Sequence, residues 1–138
     1  MMPRIQFLCR ALVFAAFTLA GQAHADVSGG FLAGNDGLTF YIFDDDTAGS
    51  GKSNCNEYCS NRWHPVSPTD ASGKDFSQIV REDGSLQLTY RGHPVYHYRY
   101  DHQPGDAYGD GKSGLWHAVR MPVSSSAQTD RNTDAYGY

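Results

Sequence analysis

Gly37–Asp46 reads GLTFYIFDDD and Gly92–Asp101 reads GHPVYHYRYD. Set over one another at an offset of 55, the two stretches agree at glycine (Gly37, Gly92), at tyrosine (Tyr41, Tyr96), at a second aromatic (Phe43, Tyr98) and at aspartate (Asp46, Asp101). Further on, Trp63-His64 and Trp116-His117 repeat at an offset of 53, so the second copy has lost two residues in between. The chain has only two tryptophans, and both stand at this one repeated position. Each half therefore reads Tyr-x-aromatic-x-x-Asp, a variable loop, then Trp-His. That is the mark of a duplicated supersecondary unit.

The pattern around each copy is β. Phe31-Leu32-Ala33, the turn Asn35-Asp36-Gly37 and Leu38–Phe43 read as strand, turn and strand. Phe76–Arg81, Glu82-Asp83-Gly84, Ser85–Tyr90, Arg91-Gly92 and His93–Tyr100 read as three strands joined by two tight turns, with glycine supplying positive φ. Leu115–Met121 is a final strand. In Leu38–Phe43 both alternating faces are apolar or aromatic, so this strand is expected to be central. In Tyr96–Tyr100 the three tyrosines share one face and His97 and Arg99 the other, which predicts a half-exposed strand. The expected fold is all-β: two pseudo-repeated antiparallel meanders in a small sandwich or barrel.

The ends read differently. Arg4 and Arg10, the apolar run Ala11–Ala20 and Ala23-His24-Ala25 form a signal-peptide pattern over residues 1–25. The run is too short to span a bilayer, which takes roughly 20 apolar residues. Leu19-Ala20-Gly21 precedes Gln22 where a lipobox has cysteine, so the expectation is export to the periplasm or beyond without a lipid anchor. The β domain then occupies 26–120, and the polar stretch 121–138 reads as a disordered tail. Removing residues 1–25 takes away two of the 11 Lys+Arg and none of the 15 acids, so the formal charge falls from −4 to −6. That argues against nucleic acid or an anionic membrane as the main partner.

Cys9 leaves with the signal, and Cys55 and Cys59 remain. An even count in an exported chain implies a disulfide. Asn54-Cys55-Asn56-Glu57 resembles a capping box, which predicts a short helical turn to about Arg62 that carries the bridge. The rival reading is a metal site made by Cys55, Cys59 and His64.

These residues resemble the bacterial family of secreted repeat proteins and predicted lipoproteins described by a Y-x-[FWY]-x-x-D motif. Tyr41–Asp46 and Tyr96–Asp101 are the two motif copies. Ser53-Asn54-Cys55, Cys59 and Trp63 resemble the family's S-N-C…C…W segment. Pro104-Gly105-Asp106, Gly109-Asp110-Gly111 and Trp116-His117 resemble its P-G-D…G-D-G…W-H segment. The resemblance spans about Phe31–Arg120 and implies an exported envelope domain without a settled biochemical activity. Two positions depart from it: Gln22 stands where many members have the lipid-bearing cysteine, and His64 where many have proline.

Three kinds of site are open. Asp106–Gly111 resembles the start of an EF-hand loop, but Tyr108 stands at position three, His117 at position twelve, and the flanks are strands, so an EF-hand is rejected. His93 and His97 share strand parity and, with His102, form a candidate superficial copper or zinc site. Tyr96, Tyr98 and Tyr100 make either a ligand platform or a core-facing row; in the second case Tyr41 and Tyr96 pack across the repeat, while Asp46 and Asp101 cap the turns that follow. His64 and His117 take equivalent structural places. No nucleophile or metallohydrolase motif is present. The expected function is thus a non-catalytic binding module for an unknown envelope ligand or protein, with transition-metal binding as the alternative and calcium behind it.

Overall fold

The computed structural model describes residues 26–28 and 30–121. The expected signal peptide, and the tail beyond Met121, lie outside these residues. Nine short strands follow one another among them: β1 (Asp26–Ser28), β2 (Phe31–Ala33), β3 (Tyr41–Phe43), β4 (Trp63–Pro65), β5 (Phe76–Val80), β6 (Leu86–Tyr90), β7 (His93–Pro94), β8 (Tyr96–Tyr98) and β9 (Trp116–Ala118). They form a β1-β2 hairpin, a central sheet in the order β4-β8-β3-β9, and a β5-β6-β7 sheet, with antiparallel pairing throughout. The chain is all-β.

The central sheet interleaves the two halves. Tyr41 lies opposite Tyr96, so the motif strands pair with each other. Each then pairs on its far side with the Trp-His strand of the opposite half. Phe43 faces Trp116 and Ile42 faces His117, just as Tyr98 faces Trp63 and His97 faces His64. Applying the two sequence offsets to one register gives the other, which is a pseudo-twofold axis between β3 and β8.

The hydrogen bonds outside the strands obey the same symmetry. Leu32 N–H donates to the Val119 carbonyl, Val119 N–H to Phe40, and Phe40 N–H back to Leu32, each at 2.8 Å. In the other half Leu88 donates to Val66 (2.8 Å), Val66 to Val95 (3.1 Å) and Val95 to Leu88 (3.1 Å). These closed triangles tie the hairpins to the central sheet, and their six side chains, with Ala71 and Tyr90, make one core cluster. The alternate residues Tyr41, Tyr96, Tyr98, Trp63 and Trp116, with Cys55, make a second. Period-two alternation thus feeds two cores from a single sheet.

The glycine turns form as read: Arg91 and Gly92 take φ of 48° and 84°, the left-handed pair that a two-residue hairpin turn requires. The helical turn at Asn54–Arg62 does not form. The segment is a run of turns, with Cys59 N–H bonded to Asn56 and Arg62 N–H to Cys59, and Glu57 sits at φ 46°. Its capping box fails because the Asp46 carboxylate takes the Asn54 N–H (2.6 Å), so Glu57 is not its acceptor. The single 3₁₀ turn among the described residues lies at Lys112–Gly114. The strand at Tyr96 also departs from expectation. Tyr96 and Tyr98 are buried, and it is central, flanked by β4 and β3; of its three tyrosines only Tyr100, beyond its end, is exposed.

Candidate functional site

The motif residues meet at the pseudo-twofold axis. The Tyr41 hydroxyl donates to Asp101 Oδ2 (2.5 Å), and the Tyr96 hydroxyl bonds Asp46 Oδ2 (2.5 Å). Each motif tyrosine is therefore paired with the aspartate of the other repeat. Both tyrosines are 0% exposed. Each hydroxyl has a further partner: Gly109 N–H donates to that of Tyr41 (3.3 Å), and Ser53 Oγ lies 2.7 Å from that of Tyr96. Burial, reinforced by the carboxylate, holds both phenols well above their usual range. Burial also raises Asp46, against the opposing pull of Asn54 N–H, the Tyr96 hydroxyl and the Arg81 charge. A phenol bonded to a buried carboxylate contributes about 1.5–3 kcal/mol, so the reciprocal pair is a substantial clasp.

A ring stack lies across the same axis. Trp63 and Trp116 are parallel at 3.8 Å between centroids. Phe43 stacks outside Trp116 at 4.3 Å, and Tyr98 lies outside Trp63 at 4.6 Å. Tyr41 and Tyr96 meet the tryptophans edge-on at 5.3 and 5.2 Å. Stacked and edge-to-face rings of this kind add to the burial of large apolar area.

The remaining motif aspartate oxygens close the loops that follow. Asp46 Oδ1 accepts from Asn54 N–H, and Asp101 Oδ1 from Tyr108 N–H (3.0 Å). Cys55 and Cys59 form a disulfide with Cα atoms 5.1 Å apart, which removes both sulfurs from any thiolate metal site. Beside them Arg81, only 6% exposed, donates to Ser53 Oγ, Gln87 Oε1, the Cys55 carbonyl and Asn56 Oδ1. Nothing local in the sequence marks Arg81: Gln87 is on the next strand, but Ser53, Cys55 and Asn56 come from a distant segment.

The candidate metal residues are placed apart. Among the described residues no group of three or more His, Cys, Asp or Glu is arranged to hold a metal, so His93, His97 and His102 do not form one. His97 does not project into solvent. Its side chain is 13% exposed, packed on Phe40, with Nδ1 3.2 Å from the Thr39 carbonyl and Nε2 4.0 Å from Asp70. The reason is the core around Phe40, which covers the sheet face opposite the tyrosines. His102 is exposed in the loop after β8, and its backbone N–H donates to Asp106. His117 pairs with Asp44 at the surface (2.9 Å), and His64 is exposed. The carboxylates of the glycine-rich loop are engaged too: Asp106 accepts from His102 and Gln103 N–H, and Asp110 from Ala118 N–H and Arg120.

Outside this interior, the exposed rings sit on the two loops. Tyr58 belongs to the disulfide loop, and Tyr100 and Tyr108 to the loop after β8. At the root of the second loop, Arg99 N–H donates to the Arg62 carbonyl (3.0 Å). The Arg99 guanidinium lies over the Tyr100 ring at 5.3 Å, and the Lys112 ammonium over Tyr98 at 5.9 Å.

A duplicated all-β domain whose motif residues interlock across a pseudo-twofold axis is what the fold and its centre define. The chain belongs to a family described as a secreted repeat of unknown function, whose model matches residues 25–67 and 77–120. Each match contains one motif strand and one Trp-His strand. No curated protein and no solved structure matches the chain. Among the described residues no helix is long and apolar enough to cross a membrane.

Proposed function

We propose that the protein is an exported, non-catalytic binding module that engages an envelope ligand or protein through the two loops between motif and Trp-His strand. One observation carries this reading. The motif tyrosines, aspartates and tryptophans are buried and partnered with each other, whereas the exposed aromatics Tyr58, Tyr100 and Tyr108 lie on the loops. The Asp46 and Asp101 carboxylates each accept the tyrosine hydroxyl of the other repeat and a backbone N–H of the loop that follows, so both are engaged in holding the structure together. Exposed rings on a rigid scaffold are the usual means of recognition by such domains.

The test is capture of fractionated envelope material by immobilised mature protein, compared with the variant Tyr58→Ser/Tyr100→Ser/Tyr108→Ser. A ligand captured by the parent, lost by the variant at unchanged melting temperature, and released chemically intact is the expected result. Turnover of the captured material would contradict the non-catalytic reading. One copper or zinc per chain in protein exported by its own signal would favour the metal alternative instead.

A further inference from the structure

We infer that Arg62, Arg99, Tyr100 and Lys112 form a subsite for a carboxylate-bearing sugar residue of an acidic polysaccharide. The inference rests on the binding-module reading and names its ligand class. Trp63 and Tyr98 are direct partners in the β4–β8 pairing, so Arg62 and Arg99 are the next opposed pair, joined by a backbone hydrogen bond. Like charges directly opposite one another across a strand pair are destabilising. Among the described residues the ion pairs engage Arg91, Arg120, His97 and His117, and none relieves Arg62, Arg99 or Lys112. All three are exposed. Residues 26–138 carry a formal charge of −6, so cations outside any ion pair, with Arg62 and Arg99 opposed in the strand register and Arg99 and Lys112 each over a ring of the Tyr98–Tyr100 pair, are not a reflection of overall composition.

The aromatic part of the patch narrows the ligand. Tyr100 is 51% exposed, with Arg99 over its ring and Tyr98 edge-on at 5.4 Å. Lys112 is brought to Tyr98 by a turn in which Gly111 and the non-glycine Ser113 both take positive φ, 76° and 54°. Flat rings interleaved with guanidinium groups meet the two surfaces of a uronic-acid unit: an apolar ring face and a planar carboxylate that arginine bonds bidentately. An anionic bilayer would be repelled by the rest of this acidic surface, whereas a single extended chain of sugars needs only the strip at the loop root.

The experiment is calorimetric titration of the mature protein with polygalacturonate, alongside neutral dextran, single-stranded DNA and phosphatidylglycerol vesicles as comparisons. Binding to the uronate polymer alone, weakened by added salt, is expected. Arg62→Gln/Arg99→Gln should weaken it about tenfold or more, with melting temperature equal or higher because the opposed charges are relieved. Arg99→Lys should recover only part of the loss. No binding of polygalacturonate, or equal binding of dextran, overturns the inference, as does preference for DNA or vesicles. If the envelope capture described above persists in Arg62→Gln/Arg99→Gln, the binding-module reading stands and this site assignment fails.

Discussion

The loop that leaves the first motif and the loop that leaves the second start from equivalent points and are secured by different chemistry. In the first, Asp46 holds Asn54 N–H, a disulfide joins Cys55 to Cys59, and the buried Arg81 collects four neutral oxygen acceptors. In the second, Asp101 holds Tyr108 N–H, Asp106 and Asp110 take backbone N–H groups, and Gly109 passes so close to the core that a Cβ would meet the Trp63 ring at 2.7 Å. Beneath them the halves agree in strand register, in hydrogen-bond triangles and in their Tyr–Asp pairs. The framework is duplicated, and the loops are where the copies diverged. Stability is thus a property of the shared centre, and the proposed recognition falls on what differs.

The largest effect should come from breaking the stack that both halves share. Trp63→Ala and Trp116→Ala should each cost about 3–5 kcal/mol of unfolding free energy, measured by denaturant titration. Because the two rings lie on each other, the two losses should be similar; a substitution tolerated at one site alone would break the equivalence. Next come Tyr41→Phe and Tyr96→Phe, each about 1.5–3 kcal/mol. They carry a pH signature. Burial raises both phenols in the folded state, so the stability they contribute is complete below the ordinary phenol value of about 10 and is lost as pH rises beyond it. In each variant the alkaline decline should be shallower than in the parent.

The smallest effect should fall on one half only. Cys55→Ser/Cys59→Ser should cost about 2 kcal/mol, the expectation for so short a closed loop. Hydrogen exchange should then speed up in residues 53–62 and leave 101–111 unchanged. Equal acceleration in both loops would show that the disulfide braces the whole centre rather than its own loop.

Much of the framework could be read in advance. The repeat, the Asp-Gly and Arg-Gly turns, the strand parity and the cysteine pair depend on neighbouring residues, and each took its expected form. The readings that changed depend on distant partners. Asn54 and Glu57 have the spacing of a capping box, yet a carboxylate eight residues upstream reached the same N–H and no helix formed. Strand alternation places His97 opposite the tyrosines correctly, but alternation does not tell that this face is also covered, here by Phe40 and its core. Read from sequence, Tyr41 and Tyr96 pack across the repeat and Asp46 and Asp101 cap the turns that follow, with no partner named for either tyrosine hydroxyl. Only the antiparallel pairing of Tyr41 with Tyr96 sets up the exchange between copies, each hydroxyl bonded to the other repeat's aspartate.

That exchange is the centre of the account, and a double-mutant cycle addresses it directly. Tyr41→Phe should be combined with Asp101→Asn in one cycle and with Asp46→Asn in another, with unfolding free energy as the readout. Tyr41 and Asp101 should couple by about 1–2 kcal/mol, and Tyr41 with Asp46 of its own repeat by less than about 0.5 kcal/mol. Coupling of Tyr41 to Asp46 as strong as or stronger than its coupling to Asp101 would contradict the interlocked architecture.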